Sequence, residues 1–105
     1  MIVHFEKDYL RDLFETGKTK DKKHRFQPDI IRRYQKVILF LKRSSSIEAL
    51  WAIRSLNYEV LKGDRAGISS IRVNDQYRVE FTVTQTGEEP ILTICNVIEL
   101  SNHYK

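Results

Sequence analysis

The residues best suited to chemistry sit in the carboxyl-terminal half of the chain. Ser101-Asn102-His103-Tyr104-Lys105 gathers hydroxyl, imidazole, phenol and ammonium groups directly after an apolar stretch. Upstream, Leu61-Lys62-Gly63-Asp64-Arg65-Ala66-Gly67 sets two cations among a pair of glycines, and Arg72 and Arg78 follow it. Metal-free RNA cleavage needs a base for the ribose 2′-hydroxyl, cations for the charge that builds around phosphorus, and an acid for the leaving 5′-oxygen. Histidine, tyrosine, lysine and arginine can supply all of these. Plainer accounts stand beside this one: a terminal histidine is ordinarily an exposed residue, and a glycine-bracketed segment is ordinarily a tight polar turn.

Other chemistries find less support. His4, His24 and His103 are far apart, and neither H-E-x-x-H nor Cys/His ligand spacing occurs. Cys95 is the single cysteine, which rules out an internal disulfide and a thiolate cluster, and its setting Ile94-Cys95-Asn96-Val97 reads as that of a buried small hydrophobe. The 61–67 segment lacks the spacing and the Lys-Ser/Thr ending of a P-loop, and G-x-S-x-G is absent. No metal and no cofactor are therefore expected.

With 105 residues, 41% hydrophobic and 30% charged, the chain is expected to form one domain over residues 1–105 around one modest core. No apolar run reaches membrane-spanning length, and Met1 to Lys7 lacks the order of a secretory signal. A cytoplasmic location with no membrane association is the expectation. The net charge of +4 points to an acidic partner without selecting among nucleic acid, membrane surface and protein. Of the 18 Lys and Arg, 12 fall in residues 1–43, where only 6 of the 14 acidic residues lie. The cluster Lys18, Lys20, Lys22, Lys23, His24, Arg25 is either a phosphate-contacting loop or a solvated one.

These groups must be positioned by a mixed set of elements. Residues 2–6 alternate as a short strand, and Tyr9, Leu10, Leu13 and Phe14 share one helical face that Thr16-Gly17 ends. Pro28-Asp29 opens a second helix with Ile30, Ile31, Tyr34, Val37, Ile38 and Leu41 on its apolar stripe and Arg32, Arg33, Lys36 and Arg43 opposite. Ser45 with Glu48 fits a capping box for a third, short helix, in which Ile47, Leu50, Trp51 and Arg54 keep helical spacing and Trp51 is expected in the core. From Gly67 the period becomes two, giving one strand through Val73, another from Tyr77 to Val83, and a last from about Ile91 to Leu100.

The turn length fixes which residues oppose each other. A two-residue turn would set Ile71 against Arg78, mixing the two faces, whereas a three-residue loop, Asn74 to Gln76, pairs Val73 with Tyr77, Ile71 with Val79 and Arg72 with Arg78. The second register is expected. It sets two guanidinium groups opposite each other, which calls either for Glu80 to neutralise Arg78 along the strand or for an RNA phosphate on a concave face.

At this point the sequence resembles a known family. The opening Met1-Ile2…Phe5…Leu10…Leu13-Phe14-Glu15-Thr16-Gly17, and above all Leu61-Lys62-Gly63-Asp64-Arg65-x-Gly67-x-x-Ser70-Ile71-Arg72-Val73-Asn74-Asp75-x-Tyr77-Arg78-Val79-x-Phe81, are similar to the HigB-like plasmid-maintenance killer toxins of the RelE superfamily. The resemblance implies an α+β microbial RNase fold, a mostly antiparallel sheet with two to three helices on one side. It implies cleavage of mRNA in the A site of the 30S ribosomal subunit, with Lys62 and Arg78 in the active site. His103 and Tyr104 are then the proton-transfer candidates, and Arg65, Arg72, Tyr77 and Lys105 bind RNA. The family's ending is commonly Asp-Tyr-His; here it is Asn102-His103-Tyr104-Lys105, so the acidic member is missing unless Glu99 replaces it. Ser69 stands where the family usually has an aromatic, which would move base stacking to Tyr77. The implied partner is a helix-turn-helix antitoxin of the HigA type; the resemblance does not give its docking surface, for which the basic face of the second helix or the first helix is the expectation. The rival readings are a ParE-like toxin that inhibits DNA gyrase without cleaving anything, and an inactive member of a repressor complex.

Overall fold

The computed structural model describes residues 1–102. Its elements run β1 (Ile2–Phe5), α1 (Asp8–Glu15), α2 (Pro28–Arg43), α3 (Ile47–Trp51), β2 (Glu59–Val60), β3 (Ser69–Arg72), β4 (Arg78–Gln85) and β5 (Thr93–Ser101), with 3-10 turns at Arg54–Leu56 and Gly63–Arg65. The strands form one sheet in the order β1-β5-β4-β3-β2, in which only the β1–β5 pair is parallel. This is the expected α+β architecture.

Local signals explain where the helices begin and end. Asp8 in the first turn of α1 complements the helix dipole, and Gly17, at φ +74, ends the segment by donating its N–H to Leu13. A side chain could not take that conformation without strain. Pro28 starts α2 at a position where its missing N–H costs nothing, and Lys42 and Arg43 lie in the last turn, where cations are favoured.

The apolar stripes of α1 and α2 cover one face of the sheet. Leu10, Leu13, Tyr34, Ile38 and Leu41 are fully buried with Ile71, Val79, Phe81, Cys95 and Val97 from the strands. Tyr34 takes its hydroxyl into this core and satisfies it by donating to the carbonyl of Leu10, 2.7 Å away, which joins the two helices. Burial pushes that phenol well above its ordinary range.

The β3–β4 hairpin has the predicted register, Ile71 opposite Val79 and Arg72 opposite Arg78, closed by a Val73 N–H bond to the Tyr77 carbonyl. Asn74 builds the loop by accepting from the N–H groups of Gln76 and Tyr77. Between Glu80 and Phe81 the β4–β5 register slips, so that Glu80 faces Glu99 while Phe81 faces Val97, and Ile98 is the extra residue of a bulge. The bulge keeps Phe81 and Val97 in the core and still leaves both carboxylates on the other face.

Three expectations are corrected. Trp51 is 60% exposed, because α3 stops after five residues and turns Leu50, with Ile47 beside it, toward the core instead. The cap of α3 is Ser46, whose hydroxyl accepts from the Ala49 N–H, so the box predicted at Ser45 and Glu48 is not the one formed. The last strand begins at Thr93 rather than Ile91, leaving Ile91 and Leu92 exposed in the preceding loop.

Candidate active site

The face of the sheet away from the helices is polar at its β3–β4–β5 end. Register places Glu59, Ser70, Arg78, Glu80, Glu99 and Ser101 there, as pairs Glu59–Ser70, Ser70–Glu80, Glu80–Glu99 and Arg78–Ser101. Several of these are shut off from water: Ser70 and Glu80 are fully buried, and Arg78 and Ser101 nearly so. A buried charge must be paired and hydrogen-bonded to be tolerated. Arg78 meets that demand through Nε on the Ser70 hydroxyl and a terminal nitrogen on the carbonyls of Asn57 and Ser70, with Glu59 3.9 Å away.

Glu80 is engaged by Arg65, which reaches across from the 3-10 turn. Gly63 (φ +71) and Gly67 (φ +89) bracket that turn in conformations that only glycine adopts freely, and this backbone path aims Arg65 over the strands. Lys62 is the residue immediately before the turn and is exposed. The Arg65–Glu80 pair and Arg78 thus share one face of the sheet, and Lys62 stands next to the turn that carries Arg65. Preorganised cations of this kind stabilise negative charge that appears at phosphorus-bound oxygens.

Two of the predicted RNA-binding residues lie elsewhere. Tyr77 falls on the opposite face from Arg78 and packs its ring edge-on to Phe26 at 5.5 Å, against the core. A base-stacking role at the Arg78 cluster does not suit it there. Arg72 opposes Arg78 in register, but its side chain turns to Asp75 and lines a cleft with Arg33 and Lys36 of α2. The pairing of like charges is therefore relieved by separate partners for each arginine. His103, Tyr104 and Lys105 lie outside the described residues; the strand leading to them ends at Ser101, opposite Arg78.

Sequence reasoning missed two features. The first is the long-range Arg65–Glu80 pair: of the two readings offered for the facing arginines, one gave Glu80 to Arg78 and neither gave it to Arg65. The signal available was only that Arg78 and Glu80 alternate onto one face. The second is the anchoring of the basic loop between α1 and α2. His24 hydrogen-bonds Asp21 at 2.7 Å and stacks on Tyr9, with ring centroids 3.7 Å apart and planes within 7°. The Tyr9 hydroxyl in turn accepts from the Leu100 N–H, one residue before Ser101. The hydrogen bond from His24 holds the Asp21 carboxyl below its ordinary range, while burial raises the Tyr9 phenol.

Cys95 is fully buried, and desolvation pushes its thiol up to about 11, so it is no nucleophile at neutral pH. Among the described residues no group of three His, Cys, Asp or Glu side chains is placed to hold a metal ion, and no helix is long and apolar enough to cross a membrane.

Comparison with known proteins identifies what this arrangement belongs to. Residues 3–92 match the family model of RelE-like toxins of the type II toxin-antitoxin system HigB. The chain is a HigB-like toxin of the RelE superfamily. The matched span contains the whole β3–β4 hairpin and the 61–67 turn, and stops just short of β5. No curated protein sequence matches this toxin. Among solved structures, a YoeB/ParE toxin from Agrobacterium tumefaciens superimposes with a TM-score of 0.61 at 21% identity, covering 99% of this chain and 100% of that one. That likeness supports the shared fold. As a type II toxin, the molecule belongs to a system whose other half is an antitoxin.

Proposed function

We propose that this HigB-like toxin is an endoribonuclease that cuts mRNA in the A site of the 30S ribosomal subunit without a metal, and that it is held inactive by a helix-turn-helix antitoxin of the HigA type. The supporting observation is Arg78: a guanidinium enclosed in a sheet face and oriented by Ser70 and Asn57, beside the Arg65–Glu80 pair.

In the proposed reaction the ribose 2′-oxygen loses its proton to a base and attacks the adjacent phosphorus. The bond from phosphorus to the 5′-oxygen breaks as an acid protonates that oxygen, leaving a 2′,3′-cyclic phosphate and a 5′-hydroxyl. His103 and Tyr104 are the proton-transfer residues, one as base and one as acid. Arg78 and Lys62 stabilise the phosphorane charge, and Arg65 and Lys105 hold the strand. The site of action is the cytoplasm, where translated messages are.

The test is induced expression of the toxin without its antitoxin, with primer-extension mapping of transcript 5′ ends and a parallel gyrase supercoiling assay. New 5′ ends inside translated frames are expected, and they should vanish in His103→Ala. Gyrase inhibition with intact messages would replace this reading with the ParE-like one, and full toxicity of both His103→Ala and Arg78→Ala would remove the site assignment.

A further inference from the structure

The exposed tryptophan is the feature that the site described so far leaves unused. A single exposed aromatic is ordinary on a protein surface, and it gains meaning here only because Trp51 is 60% exposed beside a second ring and a cation in one cleft. Trp51 forms one wall of a cleft of about 370 Å³ with Ile53, Arg54, Asn57 and Tyr58. Its ring centroid lies 6.4 Å from that of Tyr58, with the planes tilted by 54°. Tyr58 is fixed in place by a 2.7 Å hydrogen bond between its hydroxyl and Ser69 and by edge contact with Phe81.

Two properties decide what this cleft suits. The tilt and separation of the rings are wrong for gripping a planar group between them, which needs parallel faces about 7 Å apart, twice a van der Waals contact. The arrangement is instead an open platform backed by a rigid second ring. Its charge is also one-sided: Arg54 lines it and no acidic residue does. The cleft adjoins the charged cluster at the sheet edge, where Asn57 lines it and gives its carbonyl to a hydrogen bond from Arg78, while Tyr58 leans through Ser69 and Phe81 on the helix-covered side of that edge. Asn57 holds a left-handed conformation, φ 47, which turns the chain from the cleft wall into the edge strand β2.

We propose that the Trp51–Tyr58 cleft is a nucleobase subsite, in which a base of the same RNA strand whose phosphate lies at Arg78 stacks on the open face of Trp51 while Arg54 meets the adjoining phosphate. The subsite rests on the nuclease reading for its occupant. It supplies the aromatic platform that Tyr77, packed against Phe26, does not. Stacking accepts every base, so the contribution is to affinity and strand placement more than to sequence choice.

Trp51 is the sole tryptophan, so its fluorescence reports on this cleft alone. The toxin is titrated with a short 2′-O-methyl oligoribonucleotide, which lacks the nucleophile, and with a strand of equal charge made abasic throughout. In parallel, wild type, Trp51→Ala and Trp51→Phe are compared for cleavage of a message on translating ribosomes. The expected result is quenching by the base-bearing strand only, a roughly 5- to 150-fold loss of kcat/KM in Trp51→Ala, the span of one stacked base, and near-normal cutting by Trp51→Phe. Equal quenching by the abasic strand, no quenching by either, or full cleavage by Trp51→Ala would overturn the subsite while leaving the nuclease reading intact. Base-dependent quenching in a protein that cuts no message would instead overturn the nuclease reading and leave a base-binding cleft.

Discussion

Arg78 is a cation whose geometry is set before any ligand arrives. Ser70 and Asn57 hold its guanidinium in one plane within a nearly closed environment, at the point where β4 faces the end of β5. In that position the fork of donors should matter as much as the charge, because lysine offers a point charge on a flexible stem and cannot satisfy the same set of acceptors. Arg78→Lys is therefore expected to keep the fold, with an unchanged far-ultraviolet circular dichroism spectrum, while single-turnover cleavage falls on the order of 10²- to 10³-fold. A lysine variant that cuts at the wild-type rate would mean that only net charge is needed there. Glu80 follows the same logic from the other side. With its carboxylate fully buried and engaged by Arg65, it keeps the cluster from being a bare concentration of cations.

Among the elements, the turn at Gly63–Arg65 has the most direct influence on the site, since its backbone path aims Arg65. A Cβ added at Gly63, Gly67 or Gly87 would meet no atom within 4 Å, but only the first two have positive φ. The cost of Gly63→Ala or Gly67→Ala is then purely conformational, about 1–2 kcal/mol, and falls on the turn. Gly87→Ala should stay within about 0.5 kcal/mol of wild type. Thermal unfolding checks the contrast, and cleavage assays should show the first two losing activity beyond what their stability loss explains. Equal stability of all three would refute the assignment. The hairpin register was legible in the sequence because one loop length alone keeps Ile71, Val73, Tyr77 and Val79 on a common face. Strand β2 was not, since Glu59 and Val60 are both exposed and two residues carry no period. Trp51 was misread for a related reason: its helical spacing was real, but the helix ended before the stripe could reach the core. The Arg65–Glu80 pair spans 15 residues between a turn and a strand, a contact that no local pattern encodes.

For the molecule as a whole, the basic amino-terminal half is tied to the same end of the sheet as the candidate site. The loop carrying Lys18, Lys20, Lys22, Lys23 and Arg25 is pinned by His24 on Tyr9, and Tyr9 on the backbone of Leu100. That pin depends on the Asp21 carboxylate. Because the folded value of this group is lowered, its contribution is complete above the ordinary aspartate value and disappears as the pH falls through the lower folded value. The ring-current shifts of Tyr9 and His24 should accordingly persist through mild acidification and collapse only at strongly acid pH, whereas Asp21→Asn should weaken them at neutrality; unchanged shifts in that variant would show the pair to be incidental. On the proposed reading, a pinned basic loop should add to the binding of RNA phosphates in a way that salt dependence measures. Each phosphate contact removed lowers the slope of log affinity against log salt by about 0.7 for single strands and 0.9 for duplex. Lys20→Gln, Lys22→Gln and Lys23→Gln combined should flatten that slope by roughly two to three, weaken binding most at low salt and converge on wild type at high salt. Since none of the three lysines belongs to the Arg78 cluster, KM should rise while kcat is kept. A parallel salt dependence with unaltered slope would mean that the loop is merely solvated, and that the excess charge of the amino-terminal half acts at long range without touching nucleic acid.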